Sequence, residues 1–299
     1  MKKTLSAVAL CSAALSAEAR FQGTEAPRTG DPVVLAAGDV ASCSDLRGAK
    51  ATAAILGSLP DATIAVLGDL AYGDGTSQQF RECYDSTWGR FKSRTRPAPG
   101  NHDYHTPGAA AYFTYFGKAA GPPGVGYYSY DLGSWHVLSL NSNCTAIGGC
   151  SEGSDEERWV KADLLAHKAP CTLAYWHHPL FSSGVNPAHA LHPEMRAIWQ
   201  DLYAAGATLV LNGHEHNYER FALQDPAGLK DPARGIREFV VGTGGKDFDP
   251  LGERLPNSEI GSFDTFGVLK LTLHARGYDW EFLPEEGKAF HDQGTGVCH

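Results

Sequence analysis

Six apolar runs, at 33–37, 63–67, 137–140, 173–176, 209–211 and 239–241, each end abruptly in a turn rich in Gly, Asp, Asn or His. Their β-branched content and near-continuous hydrophobicity suit strands buried on both faces, the habit of parallel sheets covered by helices. Helical patterns lie between them. Ser154 and Glu157 form a capping box ahead of Trp159, Val160, Leu164 and Leu165, and 193–205 carries helical apolar spacing up to Gly206. Near the C-terminus, 267–274 and 278–283 alternate and are joined at Ala275-Arg276-Gly277, which reads as a hairpin. The expected fold is a layered α/β sandwich. In such folds, sites form in the loops beyond the carboxyl ends of the strands.

Length permits one large domain or two small ones, and one, over 32–299, is expected. A hydrophobic content of 42% and a charged content of 20% are ordinary for a globular chain, with no repeat or low-complexity block. Lys2 and Lys3 precede an apolar stretch at 5–15, and Ala17-Glu18-Ala19 has the small-residue spacing of a cleavage site. The expectation is an export signal over 1–19, cut after Ala19, and a polar lead-in over 20–31. The apolar stretch is too short to span a bilayer, and no later one approaches ~20 residues, so the mature chain is expected to be soluble. Cys11 raises the alternative of a lipid attachment site, but Leu10 stands where a small residue is expected.

Loss of Lys2, Lys3 and Glu18 moves the formal charge from −9 to −10. With no cluster of Lys or Arg, that balance argues against nucleic acid, and an anionic substrate would need a strong local positive charge. Six cysteines remain after cleavage, an even number that favours disulfides in an exported chain. None forms a Cys-x-x-Cys pair, which argues against a thiolate zinc site. Cys144 and Cys150 flank a short Gly-containing loop and are expected to pair; the partners of Cys43, Cys83, Cys171 and Cys298 stay open.

Five polar clusters follow the strands or their loops: Gly38-Asp39, Gly68-Asp69 with Tyr72 beyond it, Gly100-Asn101-His102-Asp103, Trp176-His177-His178-Pro179 and Gly213-His214-Glu215-His216. Each alone has a plain structural explanation as a turn, a helix cap or a strand ending at proline. Together they suggest a metal centre. Residues i and i+2 of an extended segment project to one side, so His214 and His216 can reach a common object. Carboxylates mixed with imidazoles and one amide oxygen suit iron, zinc or manganese.

The order Gly-Asp, Gly-Asp-x-x-Tyr, Gly-Asn-His-Asp, His-x-Pro and Gly-His-x-His resembles the calcineurin-like metallophosphoesterases, and more narrowly the purple acid phosphatases. The tail over 292–299 also resembles that of exported members. The chain leaves no room for the fibronectin-like amino-terminal domain of the plant enzymes, so the small single-domain type is the nearer comparison. The resemblance implies an α/β/β/α sandwich with a binuclear metal site at the strand ends. It implies two metals bridged by Asp69, with Asp39, Tyr72 and His216 at the first and Asn101, His177 and His214 at the second. His177 takes the ligand role as the first residue of His-x-Pro, leaving His178 as a supporting or simply packed histidine.

Many relatives carry His where this chain has Ala41, and purple acid phosphatases usually have Gly there and use the tyrosine. A Tyr72 phenolate implies Fe(III) with a divalent iron, zinc or manganese ion; the alternative is a neutral phenol beside the metals. The implied reaction is attack of metal-bound hydroxide on phosphorus, the two cations supplying the positive field that the acidic chain lacks. His102 would lie near the substrate as a proton donor. His189, in the loop after Ser182-Ser183-Gly184, faces either substrate or solvent. Asp74 and Asp103 are expected to accept hydrogen bonds from histidines, and 218–220 to brace the site by packing and ion pairing. Residues 242–245 read as a tight turn near the site, since they lack the features of a phosphate loop.

The expected function is a secreted or periplasmic acid phosphatase acting on small phosphomonoesters, independent of nucleic acid and, after signal cleavage, of membranes. A phosphodiesterase using the same metals is the nearer alternative. A secreted binding protein with structural metals is the more distant one.

Overall fold

A computed structural model of the chain describes residues 30–186, 189 and 191–299. The expected export signal and the lead-in up to residue 29 lie outside the described residues. The strands in chain order are β1 (Val33–Ala37), β2 (Ala41–Ser42), β3 (Thr63–Leu67), β4 (Ala71–Tyr72), β5 (Thr95–Ala98), β6 (Tyr128–Leu132), β7 (Trp135–Ser139), β8 (Cys171–Tyr175), β9 (Leu209–Asn212), β10 (Tyr218–Phe221), β11 (Arg237–Val241), β12 (Ser258–Ser262), β13 (Gly267–His274), β14 (Gly277–Pro284) and β15 (Gln293–Val297). One sheet has the order β15-β14-β13-β1-β3-β5, and the other β12-β10-β11-β9-β8-β7-β6. Each has a parallel block: β1, β3 and β5, running to one edge of the first sheet, and β7, β8, β9 and β11 at the centre of the second. Antiparallel strands continue the first sheet on its other side and flank the second on both.

The continuous hydrophobicity of the second sheet follows from burial on both faces. Val137, Leu173, Leu209 and Leu211 join one core cluster with Leu269, Leu271 and Phe282 of the first sheet. Their strand neighbours Leu138, Ala174 and Val210 point the other way and join Val160 and Leu164 of helix Asp155–Ala166 and Ile198, Trp199 and Leu202 of helix Arg196–Ala204. Helix Arg47–Ser58 packs against β13 of the first sheet and buries Ala49, Ala53 and Leu56. The layering is the expected α/β/β/α.

Two local features differ from expectation. Ser154 caps its helix by accepting from the Glu157 amide at 3.2 Å, but the Glu157 carboxylate accepts from Gly153 at 3.1 Å and pairs with Lys161, so the box is not reciprocal. In the hairpin, Gly277 pairs with His274, which leaves a two-residue turn at Ala275-Arg276. Strand β5 has no apolar signature, since Arg96 and Pro97 interrupt it; as the edge strand beside β3, it can hold a proline without loss of a ladder bond.

Disulfides join Cys43 to Cys83, Cys144 to Cys150 and Cys171 to Cys298. The second is the expected local pair, and the third ties the start of β8 to the C-terminal tail. Among the described residues, no helix is long and apolar enough to cross a membrane.

Candidate metal centre

Five parallel strands aim their carboxyl ends at one place. Asp39 lies two residues past β1 and Asp69 two past β3, while Asn101 and His102 follow β5. His177 lies two residues past β8, and His214 and His216 follow β9. The backbone bends sharply to bring them together. Asp39 (φ 62°), Asp69 (φ 53°) and His214 (φ 70°) are three of only four non-glycine residues with positive φ among the described residues. Such a conformation costs an L-residue roughly 1–2 kcal/mol, and it persists where the surroundings enforce it. Space is equally tight. A Cβ on Gly100 would collide with the Asp69 carboxylate, and one on Gly68, itself at φ 88°, would collide with the His177 ring.

The side chains form a continuous buried network. The Tyr72 hydroxyl lies 2.8 Å from Asp39 Oδ1, 2.9 Å from Asp69 Oδ2 and 3.1 Å from His216 Nε2. On the other side of Asp69, His177 Nε2 is 3.3 Å from Oδ2 and 3.0 Å from Asn101 Oδ1, and His214 Nδ1 is 3.2 Å from His177 Nε2. Asp69 Oδ2 therefore stands between two groups of donors. Its Oδ1 is engaged separately, accepting from the His102 amide at 2.8 Å. The His214 amide donates to Asp39 Oδ2 at 2.8 Å, while its Nε2 is buried with no hydrogen-bond partner.

His102 covers this network. Its ring lies 4.4 Å from that of Tyr72, its Nδ1 is 2.5 Å from the Gly73 carbonyl, and its Nε2 is 3.9 Å from Asp69 Oδ2. An Nδ1–H donated to Gly73 leaves Nε2 facing the carboxylates. The His189 ring sits 4.5 Å from His214 and 4.9 Å from His216, with Nδ1 3.3 Å from Asp249 Oδ2. All nine residues expected to hold the metals or face the substrate thus meet in one region.

Electrostatics of the protein groups alone set strong opposing shifts. Burial works against the charged form of His177, yet Asp69 beside it lifts its pKa to about 9; His216 is likewise lifted to about 10 despite burial, by Asp247 and Asp39. Burial and the charge of His177 push His214 well below the usual range. Burial raises the Tyr72 phenol far above its usual value, and Asp39 and Asp69 add to that.

One supporting role differs from expectation. Asp103 accepts from the backbone amides of Asp69 and Gly100 at 3.1 and 2.9 Å, and from no histidine, so it fixes the loops and not an imidazole. Asp74 does meet a histidine, His105 at 3.3 Å, but one outside the converging set. The carboxylates that do face site histidines are Asp247, which contacts His216 Nδ1, and Asp249, 3.4 Å from the same nitrogen and 3.3 Å from His189 Nδ1; the Leu67 carbonyl holds His177 Nδ1 at 2.7 Å. Asp247 follows the glycine turn at the end of β11 and lies six residues past the strand, so the strand end points to its neighbourhood without marking the residue. That turn packs against the site, with Lys246 N donating to the Asp39 carbonyl at 2.9 Å. His178 is buried and bonds Ser142 through Nδ1 at 2.8 Å. Tyr218 and Arg220 both bind Asp292 of the C-terminal tail, at 2.6 and 2.8 Å, and Glu219 accepts from the Ser183 amide at 2.8 Å.

The donor set fits metal ions. Asp39, Asp69 and His177 bring ligand atoms within 4.8 Å of one another, as do His177, His178 and His214. The partnerless Nε2 of His214 and the close approach of two buried carboxylates to a phenol both call for a cation.

Residues 32–218 match the calcineurin-like phosphoesterase family. Purple acid phosphatase 15 of Arabidopsis thaliana is 27% identical over 191 residues, covering 52% of this chain and 35% of that protein. Purple acid phosphatase 21 of the same plant is 31% identical over 180 residues, or 56% and 39% of the two chains. The chain thus covers less than half the length of these relatives. A purple acid phosphatase from yellow lupin seeds superposes with a TM-score of 0.69 at 19% identity, over 90% of this chain and 54% of that one. GAP50, the anchor in the inner membrane complex of Plasmodium, gives the same TM-score at 14% identity, over 90% and 89%. At these identities the two structures speak for the fold.

Proposed function

This chain belongs to the calcineurin-like phosphoesterases, and from that premise we propose that it is an exported acid phosphatase of the purple acid phosphatase kind, hydrolysing small phosphomonoesters at a two-metal centre. One observation carries the reading: the Tyr72 hydroxyl lies within 3.1 Å of Asp39, Asp69 and His216 together. A tyrosine so placed suits a hard trivalent ion, hence Fe(III), with a divalent iron, zinc or manganese ion beside it. Asp39, Tyr72 and His216 would hold the first ion, and Asn101, His177 and His214 the second. Asp69, whose Oδ2 lies close to both groups and whose Oδ1 is anchored on the His102 amide, would be shared by the two ions.

When bound, such a pair of cations clamps a phosphate group and lowers the pKa of bound water. The residues of the chain do the rest. Asn101 offers a neutral oxygen, which limits the negative charge of the donor set. His102, with Nδ1 turned to Gly73, presents Nε2 to the departing oxygen of the ester, where the imidazolium form would give up its proton. His189 lies beside both His214 and His216, where it can meet a substrate oxygen. Three disulfides favour an oxidising compartment, which supports export.

The test is hydrolysis of an aryl phosphomonoester and of the matching diester by the purified, iron-loaded protein, with metal content measured in parallel. Faster turnover of the monoester, with two metals per chain, is expected. Preference for the diester, or retention of at most one metal at full activity, overturns the proposal.

A further inference from the structure

At the opposite end of the second sheet from the strand-end centre, a second group of ligand-type side chains converges. His136 is the second residue of β7, so it lies near the amino ends of the parallel strands, while Asp163 and His167 stand one turn apart at the end of helix Asp155–Ala166. His136 Nε2 is 2.7 Å from Asp163 Oδ2, and His167 Nδ1 is 3.2 Å from Asp163 Oδ1. The two imidazole rings lie 4.7 Å apart, and one ligand atom from each of the three residues falls within 4.8 Å of the others.

The surroundings resemble those of a metal site. Histidines that bind metals commonly donate their other ring N–H to a carboxylate, which fixes the ring and raises its basicity. His136 has that arrangement, with Nδ1 2.8 Å from Asp131 Oδ1. Asp163 is held as well, since Ser129 Oγ donates to its Oδ1 at 2.9 Å. Burial is graded from inside to outside: the His136 side chain is 1% exposed and Asp163 8%, whereas His167 is 48% exposed and borders a surface depression of about 240 Å³. An ion can therefore enter past His167, whose half-exposed ring can turn to meet it.

We propose that His136, Asp163 and His167 form a separate binding site for a borderline divalent cation of the zinc type. Two imidazoles and one carboxylate suit that ion, with solvent completing the coordination. The cation takes the place of the proton between His136 Nε2 and Asp163, which leaves for solvent, and Nδ1–H stays on Asp131. A site here would pin the end of helix Asp155–Ala166 to β7, far from the chemistry. It does not depend on the phosphatase reading.

Equilibrium dialysis of the full chain against buffered Zn²⁺, compared with His167→Ala, tests this. His167 is exposed enough for its loss to leave the fold intact, and Asp163→Asn, checked by circular dichroism, is the second variant. The wild type should hold one more zinc per chain than His167→Ala, and zinc should raise the melting temperature of the wild type by more than that of the variant, with hydrolysis of the aryl phosphomonoester unchanged. Because the result is a difference between two chains, occupancy of the strand-end centre cancels. Equal zinc content in the wild type and His167→Ala, whether or not either hydrolyses the ester, overturns the proposal and leaves the cluster as an ion-paired network.

Discussion

Tyr72 and Asp39 meet at 2.8 Å, joining the loops that follow β3 and β1. The same hydroxyl lies 2.9 Å from Asp69, so one phenolic proton faces two carboxylates and cannot be shared fully with both. Burial and those carboxylates keep the phenol protonated among protein groups alone. A strong cation reverses that balance.

The first prediction follows directly. Iron-loaded wild-type protein should show a broad visible absorption from phenolate-to-iron charge transfer, and Tyr72→Phe should lose it while keeping its far-ultraviolet circular dichroism. Persistence of the band in Tyr72→Phe would assign it to another ligand.

His214 and His216, two residues apart, should fail separately. His216 Nε2 sits among Tyr72 and Asp39, at 3.1 and 3.4 Å, whereas His214 Nδ1 sits against His177 at 3.2 Å. His216→Ala should release chiefly the trivalent ion and His214→Ala chiefly the divalent one, as read by metal analysis after gel filtration. Equal loss of both ions in both variants would contradict the division.

Asp247 touches no other singled-out residue than His216, whose Nδ1 it holds. Loss of such a supporting carboxylate typically weakens metal affinity by roughly 10–100-fold. Asp247→Asn should show a fall of about that size in competition with a chelator, and the loss should fall on the same ion as in His216→Ala. An unchanged affinity would reduce Asp247 to a surface partner of Lys246, 2.6 Å away.

How far the sequence leads depends on the kind of signal each residue leaves. The parallel strands are legible because both faces are buried, so Leu173 and Ala174 are apolar although they point to opposite layers. The strand-end rule then leads to Asp39, Asp69, His177, His214 and His216, since each falls within five residues of the end of an apolar run. Strand β5 is hidden because an edge strand tolerates Arg96 and Pro97, and Asn101 is found only from its own motif. Helix Arg47–Ser58 is hidden for a different reason: its buried face includes Gly48, Ala49 and Ala53, small residues carrying little apolar periodicity, and Gly48 approaches Gly245 and Phe266 too closely for a side chain. Asp74, Asp103 and Asp247 look alike in sequence, and only the fold decides which of these carboxylates reaches an imidazole.

Glu156 gives a pH prediction that is independent of metals. Its Oε1 accepts from the Asn141 amide at 2.7 Å, its Oε2 has no hydrogen-bond partner, and burial raises its pKa from 4.5 to about 8. Between those values the folded chain keeps a proton that the unfolded chain releases. Stability from this group is thus fully present below about pH 4.5 and is lost as pH rises toward 8. Gln has nearly the shape of the protonated acid and carries no charge at any pH, so Glu156→Gln should flatten this part of the profile. Denaturant unfolding should find the variant close to wild type near pH 5 and more stable near pH 8 by about 1–3 kcal/mol, a fraction of the roughly 1.4 kcal/mol per pKa unit that full burial would imply. Asp103, which burial also raises to about 8, and His274, raised by Asp31 and Asp279 against the opposing effect of burial, tilt stability the same way in both proteins and cancel in the difference. Parallel profiles for the two proteins from pH 5 to 8 would mean that Glu156 ionises in the folded chain much as it does in the unfolded one.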